Sequence, residues 1–240
     1  MQPIWNRAQF KQTGKDTFLS NYWPFVGVCV LLALLSGDLF NLQLQQTSRE
    51  LVSNSILIYD DPSLGNAVAY GAQLLSPYLA PFVAGSLLLS LLVVFPLQVG
   101  ASRFFLESRP GYKAPFQRIS HGFVENYGNV FLTGLFKWLF TLLWSLLFLI
   151  PGIIRSFGYF AVPYILAENP NLDHSRALQL SLQMTKGYKW DIFVLELSFL
   201  GWFLLSGISF NIAGIFYVNP YYQATLAEAY HFLRENAMAN

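Results

Sequence analysis

The chain has 240 residues, of which 54% are hydrophobic, 17% aromatic and only 11% charged, against about a quarter charged in an ordinary soluble domain. Fourteen Lys and Arg against 13 Asp and Glu leave a net charge of +1. That supplies no field to draw nucleic acid or acidic substrates, so no nucleic-acid partner is expected and the position of the charges becomes the informative quantity. The lone cysteine, Cys29, excludes an intrachain disulfide and a CxxC pair, and reads as a small buried hydrophobe.

Six apolar stretches follow one another, each measured against the roughly 20 residues a spanning helix needs. The first, 24–40, has Arg7, Lys11 and Lys15 before it, which raises the question of a cleaved signal peptide. It ends in Ser36-Gly37-Asp38 without an Ala-x-Ala site, so it is expected to be a retained helix. A Gln-rich connection over 41–77 is the one sizeable external loop, with turn signals at Asp60-Asp61-Pro62 and Gly65-Asn66 and a short strand expected near 53–59. The second stretch, 78–99, is uncharged and holds Pro81 and Pro96. A basic segment, 102–129, then carries Arg103, Arg109, Lys113 and Arg118 among phenylalanines, the composition of the lipid headgroup level.

The third stretch, 130–150, is expected to break at Pro151-Gly152. The fourth, 153–167, is the weakest, since 15 residues rise only about 22 Å as a helix, and a re-entrant segment is its rival. A full crossing is the expectation, because it leaves Arg176, Lys186 and Lys189 internal. Arg155 is then an anchor at the external surface. Between the fourth and fifth stretches Asp173 is a good N-cap for a short amphipathic helix that closes before Gly187. With Arg176 and Lys186, this helix is the candidate cytoplasmic contact surface. The fifth stretch, 192–208, and the sixth, 215–232, join through a tight turn near Asn211 and Gly214.

Charge sets the orientation. Of the 14 basic residues, all but Arg49, Arg155 and Lys137 lie in 1–23, 101–129, 168–190 or 233–240, which the positive-inside bias places in the cytoplasm. The expected fold is an all-α polytopic bundle of about six transmembrane helices over a single integral membrane domain, with both termini inside and a short interfacial amphipathic helix. Small residues at Ala33/Gly37 and Ser86/Ser90 are packing signals. Lys137-Trp138 with Ala167-Glu168, and Lys189-Trp190 with Ala227-Glu228, hint at a parallel duplication of two hairpins.

Several ordered blocks carry a family resemblance: GASRFFLE from Gly100, LWSLLFLIPGIIRSFGYFAVPYILAENP from Leu143, ALQLSLQMTKGYKWDIFVLELSFLGW from Ala177 and NPYYQATLAEAYHFL from Asn219. Over roughly 100–233 the chain resembles the bacterial integral-membrane family catalogued as domain of unknown function 975. The resemblance implies a multi-pass protein found mainly in Gram-positive bacteria, with no activity to carry over.

Ionisable residues within apolar stretches are costly and tend to face a bundle interior or a cavity. Lys137, Glu196 and Glu228 fall within about two turns of the cytoplasmic ends of their helices, so a polar cluster of Lys137, Glu196, Glu228 and His231 is expected. It serves either as an ion-paired lock or as a coupled site, with Glu196, which lies deeper than Glu228, the better functional candidate. No HExxH, CxxC, GxSxG or phosphate-loop motif occurs, and the three histidines are isolated. No catalytic residue, metal or cofactor is expected. The expected function is non-enzymatic, a transport role in the bacterial plasma membrane for a hydrophobic or amphipathic molecule. The alternative is an accessory, assembly or regulatory subunit of a membrane complex. The partners are the lipid bilayer and, in the alternative, a membrane or cytoplasmic protein.

Overall fold

A computed structural model of the chain describes residues 5–35, 77, 85, 90–109, 112–147, 149–209 and 211–239. It divides into two units, Met1–Leu32 with Phe95–Asn240, and Ala33–Val94. In the second unit the described part is the end of a helix at 33–35, Pro77, Gly85 and a π-helical turn, Ser90–Val94. The rest of the 41–77 loop, its expected strand and most of the second apolar stretch lie outside the described residues. All further description concerns the first unit.

Helix α1, Arg7–Ser20, opens with Asn6 accepting the amide of Gln9 at 3.2 Å. Its buried residues Phe10, Gly14, Thr17 and Phe18 fall on one helical face. That face packs on α11, Asn219–Ala239. The approach is close because a Cβ at Gly14 would lie 2.8–2.9 Å from the backbone nitrogen, Cα and Oγ1 of Thr225. At buried Asn21 the chain bends by 98° into α2, Tyr22–Leu35. The Asn21 side-chain amide holds the bend by donating to the carbonyls of Thr17 and Arg109, each at 3.2 Å.

Helix α3, Phe95–Glu107, passes the expected end of the second stretch at Val99 by two turns, so Arg103 is helical. A 3-10 turn, Phe116–Ser120, and the short α4, His121–Val124, pack back on α3. Next come α5, Tyr127–Leu147, and α6, Leu149–Gly158, which pair as a helical hairpin. The break expected at Pro151-Gly152 therefore falls just before them. In the first turn of α6, Pro151 gives up an N–H that has no intrahelical partner there. Gly152 lies against Ser145 of α5 where a Cβ would overlap that residue, so the hairpin arms touch backbone to backbone at its tip.

The fourth apolar stretch is not one helix. It divides into the ten-residue α6 and the seven-residue α7, Val162–Glu168, because Pro163 in the first turn of α7 cannot continue an incoming helix. Helix α8, His174–Met184, begins at the expected cap, where the Asp173 carboxylate accepts the amides of Ser175 at 3.0 Å and Arg176 at 3.4 Å. After it Gly187 has φ +89°, the left-handed conformation in which glycine carries no Cβ penalty. Helices α9, Lys189–Leu197, and α10, Leu200–Ile208, together form the fifth stretch. The turn after them places Asn211 at φ +65°, its amide donating to the Ser206 carbonyl at 2.8 Å. A π-helical turn, Gly214–Val218, leads into α11, which runs past the expected Phe232 boundary.

Phe18, Phe25, Phe104, Tyr159, Leu166, Tyr230 and Leu233 are almost fully buried and form the core. The opposite condition holds along α5 and α10, where Leu143 is 50%, Leu146 83%, Leu204 64% and Ile208 78% exposed. Apolar side chains displayed in rows along whole helices are what a hydrocarbon surrounding accommodates and water does not.

Candidate functional site

The four residues expected to form one intramembrane cluster occupy three environments. Lys137, on α5, holds its ammonium 5.7 Å from the centre of the Phe95 ring of α3, a cation over an aromatic face. Glu196, on α9, faces Tyr222 of α11. Glu228 and His231, a turn apart on α11, both feel the field of Arg109. Among the described residues no ion pair joins Lys137 to Glu196 or Glu228.

The structure builds a different polar network where α3, the 3-10 turn, α7 and α11 converge. The Glu107 carboxylate accepts Arg103 Nε at 2.5 Å and Arg118 Nε at 2.7 Å, and Arg103 also donates to the Ala167 carbonyl at 2.9 Å. At the end of α7 the Glu168 carboxylate takes the Tyr230 hydroxyl at 2.8 Å and Arg234 at 2.9 Å. Tyr164 stacks on Tyr230 with ring centres 5.0 Å apart. The pairs Arg103/Glu107 and Tyr230/Arg234 stand at the four-residue spacing of one helix face, which was the available signal. Their partners across elements depend on how α7 returns to α3 and α11.

A cleft of about 280 Å³ opens between α5, α6 and α8. Phe136, Phe140, Leu178 and Leu182 give it apolar walls, and Arg155, His174, Ser175 and Gln179 give it polar ones. Arg155 lies against two aromatic rings, 5.4 Å from the centre of Trp144 and 5.5 Å from that of Tyr159, and its Nε donates to the Tyr159 hydroxyl at 3.2 Å. The His174 ring stacks on Phe136 at 4.7 Å, and its Nδ1 is 3.2 Å from the Asp173 carboxylate. Ser181 and Thr185 of α8 donate to the Gly158 carbonyl at the end of α6, at 2.8 and 3.2 Å. Arg155, expected as an anchor on the face opposite α8, shares a cleft with that helix. It stands three positions before Gly158 on α6, a rise of about 4.5 Å from the carbonyl that Ser181 contacts.

Arg176 on α8 and Lys186 in the turn just after it are exposed, with Gln183 between them. Among the described residues no group of three or more His, Cys, Asp and Glu side chains could hold a metal ion. Cys29 is buried.

Among the described residues two helical segments, Tyr127–Leu146 and Lys189–Ile208, are long and apolar enough to cross a membrane, or three if the bent α1–α2 pair counts as one. All-helical architecture with such segments and displayed leucine faces fits a membrane protein. Within that class the chain belongs to the family described as "Protein of unknown function (DUF975)", whose model matches residues 68–237. That match takes in the blocks that suggested the resemblance and reaches back into the loop before the second stretch. No curated protein and no solved structure matches.

Proposed function

We propose that this chain is a multi-pass protein of the bacterial plasma membrane, without enzymatic activity, that takes part in the transport of a hydrophobic or amphipathic molecule. The observation that carries the reading is the cleft between α5, α6 and α8, polar on one wall and bordered by the exposed apolar side chains Phe140 and Trp144. A site of that kind suits a molecule with a polar end and an apolar one.

Both termini lie in the cytoplasm in this reading, with six apolar stretches in the bilayer. The α5–α6 pair enters as a re-entrant hairpin. Support comes from α6, whose ten residues rise about 15 Å, half of the roughly 30 Å hydrocarbon core. A Cβ at Gly158 would lie 3.5 Å from Lys189 Cε, so α6 ends beside the start of α9. Both ends of such a hairpin lie on one side, and Arg176, Lys186 and Lys189 stay cytoplasmic without a fourth crossing. Arg155 then joins the cytoplasmic set, and Arg49 alone departs from the charge rule.

The test is reconstitution into vesicles with a fluorescent amphiphile on one leaflet. The wild-type chain should speed transbilayer movement over protein-free vesicles, and Leu178→Trp, which fills the cleft, should remove the gain. Movement equal to protein-free vesicles would sink the transport reading. A second reading, an accessory subunit, is favoured by the exposed Arg176, Gln183 and Lys186 together with Trp190, 71% exposed just beyond them. It predicts site-specific crosslinks from α8 to one partner protein.

A further inference from the structure

We propose that the Arg155 cleft binds the phosphate of an anionic phospholipid, with the acyl chains lying outside it against Phe140 and Trp144. The inference rests on the membrane placement given above and names the ligand class of that same site.

Charge selects the ligand. Among the described residues Arg155 is the only formally charged group that lines the cleft, no carboxylate lines it, and none pairs with Arg155. A guanidinium has five N–H donors. The rings of Trp144 and Tyr159 engage its faces, and one donor, Nε, reaches the Tyr159 hydroxyl. The remaining donors have the fork geometry that takes a phosphate in two parallel bonds. Stacking also limits the side chain's freedom, so less ordering entropy opposes binding.

The surroundings complete the match. Ser175 and Gln179 bring a hydroxyl and an amide from α8 to the same space, groups that hydrogen-bond ester oxygens and glycerol hydroxyls. His174, held on Phe136 and beside Asp173, forms part of the same wall. Size then divides the ligand. About 280 Å³ is at the low end for small-molecule sites, sufficient for a head group and too little for two acyl chains. Phe140 and Trp144, 38% and 39% exposed, offer the chains an apolar surface at the rim.

The test is native mass spectrometry of the full chain, purified into micelles holding equal amounts of phosphatidylglycerol and phosphatidylcholine. Both lipids carry a phosphodiester, but the choline ammonium of phosphatidylcholine meets the Arg155 charge with no carboxylate in the described lining to offset it, so the wild-type chain should retain phosphatidylglycerol by about tenfold over phosphatidylcholine. Arg155→Gln should bring the two lipids to parity, and Arg155→Lys should keep part of the preference. Leu178→Trp leaves Arg155 and its stack in place and should also abolish the preference, which keeps the test decisive if Arg155→Gln fails to fold. An unchanged lipid ratio in Leu178→Trp, or in a folded Arg155→Gln, overturns the proposal. So does binding of inorganic phosphate alone with no preference for phosphatidylglycerol, since the ligand would then be a soluble anion. A chain that holds phosphatidylglycerol at Arg155 but moves no amphiphile loses the transport reading and keeps this one.

Discussion

Removing the Glu168 carboxylate tests whether the network at the ends of α7 and α11 holds those helices together. Tyr230 is 1% exposed and its hydroxyl donates to Glu168 at 2.8 Å, so Glu168→Ala leaves a buried donor without an acceptor, at a cost of about 1–3 kcal/mol. The Arg234 pair adds little, because its two side chains are 41% and 28% exposed and solvent screens such pairs to at most about 1 kcal/mol. The single substitution should therefore cost about 2–3 kcal/mol. Tyr230→Phe removes the donor itself, leaves Glu168 with Arg234 and should cost about 1 kcal/mol. In the double variant no buried hydroxyl is stranded, so the loss should fall short of the sum by about 1 kcal/mol. Reversible denaturation of the four proteins in mixed micelles measures that coupling. Additivity to within about 0.3–0.5 kcal/mol, the behaviour of independent sites, would refute the network.

Two further outcomes follow from packing and depth. Gly14→Leu forces a side chain into the Thr225 backbone and should weaken α1 docking by about 1–3 kcal/mol, read as roughly tenfold or faster proteolysis within Arg7–Ser20. Gly207→Leu, with nothing within 4 Å of its added Cβ, is the control that should leave that rate unchanged. For the re-entrant hairpin, Leu146→Cys near the tip should resist an impermeant maleimide added outside intact cells because the tip stays within the bilayer, and buried Cys29 should add no background. Labelling from outside would mean that the hairpin crosses.

Much of the local structure was legible in the residues because its causes are local. Asp173 caps α8 and Gly187 closes it, as the side-chain acceptor and the missing Cβ require. The turn at Asn211 was readable from turn chemistry, whereas the fourth stretch, read as one crossing segment, divides into α6 and α7. Helix ends were less so: α3 and α11 continue past the apolar stretches because the helical backbone does not stop where hydrocarbon does. The charged turns Arg103 to Glu107 and Tyr230 to Arg234 are held by partners on other elements.

The polar site was the least legible part. Similar depth placed Lys137, Glu196 and Glu228 together on paper, but depth fixes one coordinate of three. Rotation of α5 turns Lys137 to Phe95, and that of α9 turns Glu196 to Tyr222. Arg155 shows the same division. Composition, hydropathy and charge order determined that the chain carries apolar helices, and its ordered sequence blocks carried the family resemblance. Only tertiary structure could decide that α6 ends beside α9 and brings Arg155 to α8, because the depth of a ten-residue helix depends on what it packs against.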